Sequence, residues 1–135
     1  MTLQLLPLLK KAPRARVVNV SSAAYFMGSI HFDNINLRNG AYSRMKSYAQ
    51  SKLANILFTR ELAKRLGPGS TVTVYALHPG SVNTDSGRHF NSVFRALLRW
   101  VTIDVVKGCQ TTLYCALEES LDGESGLYYE YVLNN

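Results

Sequence analysis

Two runs rich in β-branched residues enclose one long segment with helical spacing, and that order restricts the fold more than any other feature of the chain. Arg16-Val17-Val18-Asn19-Val20-Ser21 reads as a short buried strand that ends in the small polar pair Ser21-Ser22. From Met45 to Leu66, Ala49, Leu53, Ile56, Leu57 and Ala63 recur at three- and four-residue steps, while Gln50, Glu61, Lys64 and Arg65 fall elsewhere. That is the pattern of a helix with one apolar face, and Gly67-Pro68-Gly69 ends it. Thr71 to Leu77 is a second strand, broken by His78-Pro79-Gly80. Asp104 to Leu117 reads as a further helix with Asp104 as its N-cap, and Gly126 to Val132 as a last short strand. Strands joined by helices of this length run parallel, so the expected class is α/β with both faces of the sheet covered.

Three strands are few for that architecture. The expected fold is a partial doubly wound parallel sheet. In the complete fold a phosphate-binding glycine loop follows the first strand of the first half, and neither GxGxxG nor GxxxGxG occurs in these 135 residues. Leu3 to Lys10 reads as the end of a helix stopped before Pro13. Ala23 to Arg44 reads as a loop with one short turn, its turn formers being Asn34, Asn36, Asn39 and Gly40. Connections longer than about a dozen residues are usually functional or disordered. Ser81 to Thr102 carries Phe90, Phe94, Leu97, Leu98 and Trp100 between Arg88, Arg95 and Arg99, the mark of an amphipathic helix or flap. No repeat, low-complexity tract or linker divides the chain.

Composition removes several alternatives. With 47% hydrophobic and 18% charged residues the chain has the balance of a core-forming protein, not of a disordered or collagen-like one. The net charge of +6 permits attraction to nucleic acid or to anionic lipid, and charge alone does not choose between them. Its basic residues are scattered, however, and no zinc, helix-turn-helix or RNA-binding motif accompanies them, so no nucleic-acid partner is expected. No stretch reaches the roughly 18 apolar residues of a membrane-spanning helix. Leu3 to Leu9 contains Pro7 and is followed, not preceded, by Lys10 and Lys11, so it does not read as a signal peptide. Cys109 and Cys115 form neither a redox nor a metal pair and are expected to be two buried thiols in a reduced compartment. His31, His78 and His89 lack metal-ligand spacing, and no metal is expected.

The residues that carry chemistry are Ser22, then Tyr48-Ala49-Gln50-Ser51-Lys52, then His78-Pro79-Gly80. On a helix Tyr48 and Lys52 stand at i and i+4 and project from one face. A free phenol with a pKa near 10 is a poor acid-base catalyst at neutral pH, and a neighbouring ammonium favours its ionised form. Ser22 falls at the carboxyl end of a strand, the edge where open α/β sheets bind ligands. Each element is commonplace alone: Tyr-x-x-x-Lys arises by chance, and Ser-Ser and Pro-Gly are ordinary turn chemistry. The conjunction carries the information, because strand, helix and strand in that order bring all three to one sheet edge.

The segments Arg16-Val17-Val18-Asn19-Val20-Ser21-Ser22, Tyr48-Ala49-Gln50-Ser51-Lys52-Leu53-Ala54-Asn55, Leu57-Phe58-Thr59-Arg60-Glu61-Leu62 and His78-Pro79-Gly80-Ser81-Val82-Asn83-Thr84 resemble the signatures of the short-chain dehydrogenase/reductase family, and within it the retinol dehydrogenase-like group. Leu6-Pro7-Leu8-Leu9-Lys10 is similar to the end of the helix before the catalytic-serine strand. The interval of 26 residues from Ser22 to Tyr48 exceeds the family's usual spacing and is itself similar to that group. The resemblance implies the second half of a Rossmann fold, with residues 1–135 forming the carboxyl-terminal part of a single NAD(P)-binding domain.

By the same resemblance, Ser22 orients the substrate oxygen, Tyr48 donates or accepts the proton, and Lys52 holds the nicotinamide ribose and lowers the phenol pKa. Tyr48, Lys52, Pro79, Gly80, Val82 and Thr84 are the expected cofactor contacts. The implied reaction is hydride transfer between NADP(H), with NAD left open, and a small hydrophobic aldehyde or alcohol such as retinal or retinol. Ser86 to Trp100 is the expected substrate flap. The resemblance also implies an intracellular protein. Attachment to the endoplasmic-reticulum membrane would run through an amino-terminal segment absent from these residues, and a homo-oligomer is left open. The chain departs from the family in lacking the glycine loop, the residue that selects NAD or NADP, the Asn-Ala-Gly segment and the helix asparagine of the proton relay. The isolated chain is therefore expected to be inactive, or to act as a non-catalytic interaction module through an uncovered sheet face or edge.

Overall fold

The computed structural model describes residues 1–80 and 105–130. Helix α1 (Thr2–Leu9) leads to strand β1 (Ala15–Val20), followed by helix α2 (Arg44–Leu66), strand β2 (Val72–His78), helix α3 (Val105–Leu117) and strand β3 (Tyr128–Glu130). The strands form one parallel sheet in the order β1-β2-β3, so the fold is the expected partial doubly wound α/β sheet. The β1–β2 register runs from Ala15 opposite Val72 to Val20 opposite Leu77. On the other side Ala76 faces Tyr128 and His78 faces Glu130.

Alternation along β1 places α2 and α3 on opposite faces of the sheet. The Asn19 side chain reaches Thr59 of α2, whereas the Arg16 side chain reaches the carbonyl of Cys115 at the end of α3. As the central strand, β2 meets a neighbour on each edge and a helix on each face. That is why Val74, Tyr75, Ala76 and Leu77 form an unbroken buried run, with Val72 buried just before the half-buried Thr73. On the α3 face, Tyr75, Leu77, Cys115 and Leu121 form the core, with Val18, Tyr114 and Tyr129 packed against them. The Tyr75 hydroxyl donates to the Leu121 carbonyl at 2.9 Å, satisfying a polar group in a fully buried side chain.

Arg16 ties the two ends of this arrangement together. Its side chain is only 8% exposed. The guanidinium donates to the Cys115 carbonyl at 3.1 Å, the Glu118 carbonyl at 2.7 Å and Asp122 Oδ1 at 2.6 Å. It thereby supplies a donor to the Cys115 carbonyl in the last turn of α3, and a second one to the Glu118 carbonyl, which also accepts from the Leu121 amide at 3.4 Å. Arg14 adds a second ion pair to Asp122.

Several expectations need correction. The connection from Ser22 to Ser43 holds two short 3-10 turns, Ala23–Met27 and Phe32–Asn34, instead of one. Of the proposed apolar face of α2, Ala49 and Ile56 are buried, but Leu57 is 45% exposed; Gln50, expected on the polar side, is only 8% exposed. Thr59 is buried as well, because its hydroxyl donates to the Asn55 carbonyl at 2.9 Å and accepts from Asn19 Nδ2 at 2.8 Å. Helix α2 starts where Ser43 Oγ accepts from the Lys46 amide and stops where Gly67 takes φ of 74°, a left-handed conformation suited to glycine. The expectation of two buried thiols holds for Cys115 alone, since Cys109 faces away from the core and is exposed. Burial pushes the Cys115 thiol up to about 11, so it stays protonated at neutral pH. Asp104, the expected N-cap, the flap of Ser86 to Trp100, and the last two residues of the expected final strand lie outside the described residues.

Candidate active site

Two consecutive residues of β1 and its exit are sewn to α2. The Val20 carbonyl accepts from Lys52 Nζ at 3.1 Å and from Asn55 Nδ2 at 3.0 Å. Ser21 Oγ donates to the Lys52 carbonyl at 2.7 Å, and the Ser21 amide donates to the Leu77 carbonyl at 2.6 Å. Lys52 and Asn55 are three apart on the helix and so present one face to the strand end. Ser22, the next residue, is held by this attachment and by its own turn, where Ser22 Oγ accepts from the Ala24 amide at 3.3 Å.

Tyr48 lies one helical turn before Lys52 on the same face, as the i, i+4 spacing predicts. Lys52 Nζ stands 5.4 Å from the centroid of the Tyr48 ring, within the range of a cation–π interaction. Tyr48 is 44% exposed, open to an incoming molecule. Among the described residues neither the Tyr48 hydroxyl nor the Ser22 hydroxyl hydrogen has a hydrogen-bond partner. Two proton-bearing oxygens and one cation therefore border the carboxyl end of the sheet with capacity to spare.

Pro79 and Gly80 arrive at that same edge. Val20 and Leu77 are register partners, and Ser22 and Pro79 each follow them by two residues. Gly80 is buried and has φ of 87°, a backbone conformation that side-chain-bearing residues rarely take. Val82 and Thr84, the other expected cofactor contacts, lie outside the described residues. The donor set suits the nicotinamide and ribose part of a dinucleotide. Lys52 has three N–H donors and gives one to Val20, and a glycine at the strand exit lets a flat ring approach the backbone.

His78 ends β2 immediately before Pro79. Its Nδ1 is buried without a hydrogen-bond partner among the described residues. Burial holds its pKa below the ordinary value, against the opposing pull of Glu130, its register partner. On β3, burial and a hydrogen bond to a carboxylate push the phenols of Tyr128 and Tyr129 well above the usual range, so both remain neutral donors. Asn55, missed as a site residue, could have been found from its three-residue step beyond Lys52. Gln50 carries no such signal. No group of three or more His, Cys, Asp or Glu side chains that could hold a metal occurs among the described residues. Nor is any described helix long and apolar enough to cross a membrane.

A parallel α/β half-sheet with a Ser, a Tyr and a Lys at its carboxyl edge defines a class, and comparison with known proteins agrees. The family model for short chain dehydrogenase matches residues 1–93, and the chain belongs to that family. It is 48% identical over 133 residues to human retinol dehydrogenase 12, a match covering 96% of this chain and 41% of that protein. Mouse retinol dehydrogenase 11 is 44% identical over 128 residues, covering 93% of this chain and 40% of that protein. The chain thus spans about two fifths of the length of the curated relatives it matches. Among solved structures, the NADPH-bound carbonyl reductase from chicken fatty liver superposes with a TM-score of 0.62 at 25% identity, covering 96% of this chain and 48% of that one. A short chain dehydrogenase from Salmonella enterica shares the fold with a TM-score of 0.66 at 17% identity, covering 98% and 47%.

Proposed function

We propose that this chain supplies the catalytic, carboxyl-terminal part of a single NAD(P)-binding domain that interconverts a small hydrophobic aldehyde and its alcohol, with retinal and retinol as the substrate pair and NADP(H) as the cofactor. The observation that carries the reading is the pairing of Tyr48 with Lys52 beside the exit of β1, where Ser22 sits with its hydroxyl hydrogen uncommitted. The names of the retinol dehydrogenases support the substrate class, and the NADPH-bound carbonyl reductase supports the cofactor.

In the reducing direction Ser22 donates a hydrogen bond to the carbonyl oxygen and fixes its position beside Tyr48. The Tyr48 hydroxyl gives its proton to that oxygen as negative charge builds there, and in the oxidising direction it takes the proton back. The Lys52 ammonium, held over the ring face, stabilises the charge left on the phenol oxygen. Its uncommitted donors suit ribose hydroxyls. Pro79 and Gly80 would hold the nicotinamide, and the family resemblance adds Val82 and Thr84. When bound, the cofactor supplies the hydride to the carbonyl carbon.

The test is an NADPH-dependent assay with all-trans-retinal. The 135-residue chain alone is expected to show no turnover, for want of the contacts to the dinucleotide phosphates. Joined behind the amino-terminal part of human retinol dehydrogenase 12 it is expected to turn over, and Tyr48→Phe in that chimera to abolish activity while cofactor affinity persists. Activity retained by Tyr48→Phe would overturn the assignment.

A second reading, a non-catalytic form that binds a partner, is favoured by the outer edge of β1, which pairs with no strand among the described residues. Association in size-exclusion chromatography, together with silence in the assay for both chain and chimera, would support it over the first.

A further inference from the structure

We propose that Gln50 is a positioning residue for Ser22: its carboxamide clasps the connection that follows Ser22 onto the helix that carries Tyr48. The proposal rests on the reading that Ser22 and Tyr48 share one substrate oxygen.

Gln50 follows Tyr48 by two residues, which on an α-helix turns its side chain about 200° away. It therefore faces the connection and not the reacting groups. Its Oε1 accepts from the His31 amide at 3.1 Å and its Nε2 donates to the Ile35 carbonyl at 2.8 Å. One side chain thus supplies an acceptor to one point of the connection and a donor to another, and at 8% exposure it does so with little competition from water.

The path from the clasp back to Ser22 is short and supported at each step. Gly28 is seated on the backbone of α2 so closely that a Cβ there would stand 2.6 Å from the Ala49 carbonyl oxygen. The Gly28 amide donates to the Tyr25 carbonyl at 2.9 Å, and the Tyr25 amide to the Ser22 carbonyl at 3.0 Å. The Ala24 amide donates to Ser22 Oγ itself. The turn Ala23–Met27 is therefore pinned to Ser22 at one end and to the Tyr48 helix at the other, and Gln50 holds the segment just beyond. Loosening the clasp frees that turn, and with it the direction of the Ser22 hydroxyl. A neutral amide satisfies both backbone partners, whereas an ionised carboxylate accepts from His31 but cannot donate to Ile35.

Residue-resolved amide hydrogen exchange on the 135-residue chain tests this without any turnover, so its outcome is separate from that of the Tyr48→Phe assay. In Gln50→Ala, which loses both hydrogen bonds of the clasp, protection at the Ala24 and Gly28 amides is expected to fall about tenfold. The Ala76 amide, bonded to the Leu127 carbonyl inside the sheet, should keep its protection. Gln50→Glu should match Gln50→Ala at pH 7.5 and regain protection at Ala24 when its carboxyl is protonated, because the acid form donates to Ile35. Unchanged protection at Ala24, or equal loss at Ala24 and Ala76, overturns the proposal. If Gln50→Ala does not fold, absence of acid recovery in Gln50→Glu overturns it equally.

Discussion

Lys52 Nζ lies 5.4 Å from the centre of the Tyr48 ring while donating a 3.1 Å hydrogen bond to the Val20 carbonyl. One ammonium thus serves both the aromatic face and the end of a strand. Lys52→Met removes both contacts, yet Asn55 still donates to the same carbonyl. Urea unfolding is therefore expected to show a loss of only about 0.5–1.5 kcal/mol. Under the proposed function the chimera's turnover falls far more than that. A stability loss above about 3 kcal/mol would mean that Lys52 is chiefly a structural residue.

Acid should weaken the Arg16–Asp122 pair. Hydrogen bonding from Arg16, the leading cause, and the charge of Arg14 hold the Asp122 carboxyl below its ordinary pKa. A depressed carboxylate contributes stability above its unfolded value, and that contribution disappears as pH falls through the folded one. Thermal unfolding of the parent chain should thus weaken below about pH 4, near the ordinary Asp value. Asp122→Asn should be less stable at pH 7 and should lose less on acidification. Parallel pH curves for the two proteins would contradict this.

His78 gives a second pH signal, nearer neutrality. Burial depresses its pKa below 6.5, so the unfolded chain binds the proton more readily than the folded one. Stability from this group is present above pH 6.5 and is lost as pH falls toward the folded value. His78→Phe is expected to flatten the stability profile just below pH 6.5, measured by denaturant midpoints. An unaltered slope would assign that region to other groups.

Gly28→Ala separates space from backbone strain. Gly28 has φ of −84° and ψ of 146°, values open to any residue, so an added methyl meets no conformational penalty of its own. It does meet the Ala49 carbonyl oxygen at 2.6 Å. The expected destabilisation is about 1–3 kcal/mol, the usual range for overpacking. Hydrogen exchange should place the change around Ala24 to Leu37. A neutral substitution would show that the connection shifts without resistance.

Much of the site was legible because it depends on local periodicity. Tyr48 and Lys52 are neighbours through helix geometry alone, and Ser22 and Pro79 reach one edge because both leave parallel strands that pair two residues earlier. Gln50 departs from its expected place on the polar side of α2, and Thr59, for which the periodicity carried no expectation, is buried too, because a polar residue enters a helix–sheet interface when distant groups satisfy it. Those partners, His31, Ile35 and Asn19, are not marked by spacing. Leu57 was misread for the converse reason: the helix packs one stripe on the sheet, and an apolar residue just outside that stripe stays exposed. Cys109 followed the same error on α3, where residue type was used without direction.

The three bonds of the Arg16 guanidinium reach partners 99, 102 and 106 residues further along the chain. During synthesis the strand that leads into Ser22 emerges about a hundred residues before these partners, so its Arg16 contacts cannot form until Asp122 has followed it out of the ribosome. Contacts of such long range make folding slow and leave early segments waiting. Order at Ser22 is thus completed only after Asp122 has emerged, when the helix carrying Tyr48 has already had time to form by itself.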